Sequence, residues 1–201
     1  MTEQSESTTA RSHDAGIGLV ELLIYAMLLA IVSSIAGSLL ITGLTSQRDI
    51  TAMGSATSRA QVVVASIEDG VRTASSVSVP TASAVGQRLV TRTGTFTTAG
   101  VATWECRSWL IAPTGNVYYR SAQTAIAAPN NLSAASLAGW SLLTEGVTAA
   151  PGSTAPFAVS GNTLSVSIQV SAGSDGAPAL VNNRISKQSL PTTSGTGPST
   201  C

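Results

Sequence analysis

A chain of 201 residues has room for one anchor helix and one modest domain. Its formal net charge of 0 gives no argument for nucleic acid or an anionic surface as a partner. Its single histidine, His13, stands so near the start that no Ser-His-Asp or Cys-His set is available to the rest, and no enzyme is expected.

The first sixteen residues carry Glu3, Glu6 and Asp14 against Arg11. Without them the chain keeps nine basic and seven acidic side chains, still a weak balance. There follows Gly16-Ile17-Gly18-Leu19-Val20-Glu21-Leu22-Leu23-Ile24-Tyr25, with one carboxylate, Glu21, lodged in an apolar run. No side chain from Leu22 to Gln47 is charged. Residues 22–44 would form a helix about 35 Å long, enough to cross a bilayer with some tilt. Carrying an ionised group to the bilayer centre costs at least ~2.5–3.5 kcal/mol, so Glu21 calls for a partner. If the chain is cut after Gly16, the new amine of Ile17 lies one helical turn from Glu21, on the same face. Two other readings use the same residues. One is a secretory signal cut before Gly37, at Ser34-Ile35-Ala36, against which the acidic start counts. The other is a plain single-pass anchor. Gly16 and Gly18 follow no strand pattern, so they are no nucleotide fingerprint.

Ile50, Met53, Thr57, Ala60, Val64, Ile67, Val71 and Ala74 recur three and four residues apart. Arg48, Asp49, Arg59, Glu68, Asp69 and Arg72 lie off that stripe, which predicts an amphipathic helix ending near Ala74, before Ser75, Ser76 and Pro80. Strand patterns follow at 88–93, 104–112 and 117–121. The last two flank Pro113-Thr114-Gly115-Asn116, a hairpin turn. Residues 131–148 fit a short helix or a strand. Leu164, Val166, Ile168 and Val170 alternate with polar residues as a half-buried strand. Residues 173–178 read as a loop, and the apolar-poor stretch 191–200 as mobile.

Cys106 and Cys201 are the only cysteines. Outside the membrane they could pair, closing a loop of nearly a hundred residues. The alternative is a buried thiol at Cys106 and a free one at Cys201. Two cysteines without histidines do not make the usual zinc site, so no metal or cofactor is expected. Glu105, Glu145 and Asp175, the acids beyond the helix, stand apart in sequence. Arg88, Arg92, Arg107 and Arg120 are scattered, and no aromatic residues alternate with them as stacking platforms, so they read as ordinary surface charges.

The stretch Gly16 to Ile24 resembles the class III signal of type IV prepilins and type II secretion pseudopilins. The resemblance implies cleavage after Gly16 by a membrane-embedded prepilin peptidase, N-methylation of Ile17, and a role for Glu21 in subunit register. Ile17 stands where Phe or Met is commoner, and the leader lacks the usual basic residues. The Trp104-to-Arg120 hairpin and Trp140 to Val147 resemble minor pilins of the PilW-type or J-type. The implied fold is α+β and type IV pilin-like: a long N-terminal helix, transmembrane in its first half, packed on a small antiparallel β-domain. The expected parts are a leader at 1–16, an apolar helix at 17–47 and its amphipathic continuation at 48–76. A β-domain at 77–190 and a flexible tail at 191–201 complete the chain. The implied partners are other pilin subunits, the peptidase, an inner-membrane assembly platform and the membrane itself. The domain would sit outside the cell membrane and later in an extracellular filament. A tip subunit that binds a surface or DNA, or a membrane-anchored secreted protein of another kind, are the alternatives.

Overall fold

The computed structural model describes residues 18–96, 102–173, 176–188, 195–196 and 200–201. It is α+β, with one long N-terminal helix, α1 (Leu19–Arg72), packed on antiparallel sheets. The chain divides into two compact units between Gln47 and Arg48.

In the first unit the helix buries none of its large apolar side chains: Leu19 is 80% exposed, Leu29 68% and Leu40 65%. Its length and composition suffice to cross a membrane. Three of its hydroxyls turn back onto the helix, Ser38 Oγ donating to the Ile35 carbonyl, Thr42 Oγ1 to that of Ser38 and Thr45 Oγ1 to that of Thr42. That pattern lets polar side chains sit in hydrocarbon without an external partner.

In the second unit α1 buries Ala56, Ala60, Val63, Ile67, Gly70 and Val71. The expected stripe therefore holds at Ala60, Ile67 and Val71 and departs at its start. Ile50 is 70% exposed and Met53 51%, and the core instead takes the small residue Ala56 and Val63. The helix ends at Arg72, two residues before the expected Ala74, because its last carbonyls find partners there. Thr73 Oγ1 donates to the Asp69 carbonyl and the Gln188 N–H to that of Arg72. Ala74 then opens β1 (Ala74–Ser78), so residues 74–76 belong to a strand and not to the helix continuation.

The first sheet runs β1, β2 (Gln87–Phe96), β3 (Ala102–Ile111), β4 (Val117–Ala122), β5 (Ser141–Thr144), all antiparallel. The expected hairpin joins β3 to β4, and Gly115 at its tip takes φ 87°, a left-handed conformation that glycine adopts without strain. The second sheet consists of β6 (Val147–Ala149), β7 (Phe157–Ser160), β8 (Thr163–Val170) and β9 (Ala179–Ser186). The ambiguous stretch 131–148 thus resolves into turns followed by β5 and the start of β6. Gln87 ties the sheets together. Its Nε2 donates to the Phe157 carbonyl at 3.0 Å and its Oε1 accepts from the Phe157 N–H at 2.9 Å.

One core joins α1 to Leu89, Trp109, Ile111 and Val117 of the first sheet. The second sheet adds Phe157, Leu164, Val166, Ile168 and Val170. Leu164 to Val170 alternate buried and half-buried as the pattern required. The described part of the tail is held: β10 (Gly195–Thr196) pairs in parallel with β3, and Cys201 is bonded to Cys106. The remaining residues of 189–199 lie outside the described residues.

Gly70 sets how closely α1 approaches β3. A Cβ built there would lie 3.0 Å from Trp109 Cζ2 and nearer still to Cη2, on a ring that cannot yield. Overpacking costs roughly 1–3 kcal/mol, more than the ~1 kcal/mol of helix propensity that alanine adds. Gly70→Ala is therefore expected to destabilise the protein. Gly54→Ala, where a Cβ meets nothing within 4 Å, is expected to stabilise it or leave it unchanged. Urea unfolding of the two variants checks the opposite signs.

Candidate functional site

The cleavage pair Gly16 and Ile17 lies outside the described residues, which begin at Gly18. The Gly18 carbonyl accepts from the N–H groups of Glu21 at 2.9 Å and Leu22 at 3.2 Å, and so opens α1. Glu21 falls in the first turn, where unpaired N–H groups and the helix dipole favour a carboxylate. One turn on, Tyr25 Oη donates to Glu21 Oε1 at 3.2 Å. The surface beside this pair is apolar: Leu22, Ala26, Leu28, Leu29 and Val32 line it. The sequence reading singled out Glu21 and missed Tyr25, although the four-residue spacing was available as a signal.

Cys106 and Cys201 are joined, with Cα atoms 5.6 Å apart and Cys106 fully buried. The alternative of two free thiols is not what the structure has. Cys106 shares its face of β3 with buried Trp104, over whose ring the Arg92 guanidinium lies 3.9 Å from the centroid.

The four scattered arginines divide between two faces of the first sheet. Arg107 sits on the α1 side with Trp109 and pairs with both Asp69 and Glu105. Burial alone would lower its pKa, but hydrogen bonds to those two carboxylates outweigh it and hold the pKa above the usual value. Arg88, Arg92 and Arg120 stand opposite Leu110, Cys106 and Ser108 of β3, on the other face. They donate to neutral oxygens: the carbonyls of Ile126 and Ala138 for Arg88 and Arg120, the hydroxyl of Ser75 for Arg92. Burial lowers the Arg88 pKa from its ordinary value.

Within the second unit a groove of about 660 Å³ runs between α1 and β9, lined by Met53, Thr57, Val64, Leu180 and Val181 among others. This groove receives the upper part of the stripe that the sequence pattern assigned to the core. Among the described residues no three His, Cys, Asp or Glu side chains gather as metal ligands. Comparison with protein-family models, with curated proteins and with solved structures finds no match.

Proposed function

We propose that the chain is a minor pilin or pseudopilin, a structural subunit of a type IV pilus-like filament. The observation that carries this reading is the lone carboxylate of Glu21, in the first turn of a helix that is otherwise uncharged as far as Gln47 and whose apolar side chains lie bare over that stretch. Such a surface needs either lipid or other copies of itself to cover it. Before cleavage the chain crosses the membrane once, with its β-domain outside. Prepilin peptidase then cuts after Gly16, and an assembly platform moves the subunit from lipid into the filament.

There Glu21 pairs with the amine of a neighbouring subunit's Ile17, so that two charges offset each other in an apolar filament core. Desolvation of such a pair can exceed its attraction, and its role is to set axial register more than to add stability. The disulfide between Cys106 and Cys201 suits a domain outside the membrane, where such bonds persist.

Glu21→Ala tests the reading. Stripping one partner from a buried pair costs roughly 3–5 kcal/mol, so its content in sheared filaments is expected to fall about a hundredfold or more. Membrane abundance and peptidase cleavage serve as the controls. A variant that enters filaments at the wild-type level would remove the basis of the proposal.

A further inference from the structure

Tyr25 has a hydroxyl that packing does not require. Between residues 18 and 47 it is the only aromatic side chain, and Glu21 is the only charged one. Phenylalanine would fill the same space against Leu22, Leu28 and Leu29 without a polar atom to satisfy in hydrocarbon. In the structure that atom has a partner, since Oη donates to Glu21 Oε1 at 3.2 Å across one helical turn. The two polar side chains therefore satisfy each other within one helix. One carboxylate oxygen is engaged, and the other is left for a cation.

We propose that Tyr25 is a positioning residue for assembly: its hydroxyl holds the Glu21 carboxyl in one orientation, with Oε2 presented to the ammonium group of a second copy. This rests on the filament reading of Glu21. A fixed carboxylate loses less side-chain freedom when its partner docks, and it accepts a charge-assisted bond in a defined direction. Without the phenol, the carboxylate enters an apolar surrounding with one oxygen unsatisfied.

Two measurements on the full chain test this. In lipid bilayers, infrared spectra of the wild type against Glu21→Gln assign the Glu21 carboxyl band. Tyr25→Phe removes only the hydroxyl and is expected to shift that band, and an unmoved band overturns the proposal. In cells, the Tyr25→Phe content of sheared filaments is expected to fall about five- to thirtyfold at equal membrane abundance and equal cleavage. Entry at the wild-type level overturns the positioning role even where the band shifts. Entry of Glu21→Ala at the wild-type level overturns the filament reading and the positioning role together. The band, read without any filament, shows whether the hydrogen bond itself was wrong.

Discussion

Truncating Trp109 to alanine is expected to lower stability by about 3–5 kcal/mol, a large part of what holds a domain of this size. Trp109 is fully buried on β3, and its ring fills the space that Gly70 leaves on α1. It also stacks obliquely on Tyr119, with centroids 5.4 Å apart, and Nε1 donates to Ser66 Oγ at 2.9 Å. One side chain thus joins helix to sheet through packing, ring contact and a hydrogen bond. Trp109→Phe keeps most of the apolar area and loses the bond to Ser66, so about 1–2 kcal/mol is expected from it. Denaturant unfolding of the detergent-solubilised chain separates the two. A Trp109→Ala midpoint near that of the wild type would mean that α1 docks by other contacts.

Breaking the disulfide is expected to cost a similar amount by a different route. Cys106 and Cys201 are 95 residues apart, and in the chain-entropy model closing a loop of that length restrains the unfolded chain by about 4–5 kcal/mol. The bond also holds the end of the chain beside β3, where β10 pairs with Ala102 and Thr103. Cys201→Ala should lower the unfolding midpoint under non-reducing conditions and leave a single thiol, at Cys106. Cys106 is fully buried, so that thiol should react slowly with a reagent until the domain unfolds. A loss below about 1 kcal/mol would mean that the unfolded chain is already restrained by residual structure.

The parts of the fold that the sequence displayed are those where a local period dominates. β8 alternates over eight residues and appears as expected, and the β3–β4 hairpin is announced by Pro113 to Asn116. The start of the helical stripe was misplaced, although Ala60, Ile67 and Val71 are buried as expected. Ala56 is a core residue with little apolar weight, whereas Ile50 and Met53 are large and exposed. β1, reading Ala-Ser-Ser-Val-Ser, and β9, with Asn182, Asn183 and Arg184, show no apolar period, and pairing with distant strands forms them. The ion pair of Arg107 with Asp69 and the clamp of Gln87 join residues that are far apart in sequence, where local patterns carry no information.

The candidate site was legible for a related reason. A single carboxylate in an uncharged run stands out on charge alone, whereas a tyrosine in the same run passes as one more bulky residue. Its significance shows only once a helix places it one turn from Glu21.

The most direct measurement is the intact mass and N-terminal sequence of the protein taken from its native membrane, with and without prepilin peptidase. The filament-subunit reading predicts a peptidase-dependent chain that begins at N-methylated Ile17. A chain that begins at Gly37, or one still uncut at Met1 in the presence of the peptidase, would contradict it.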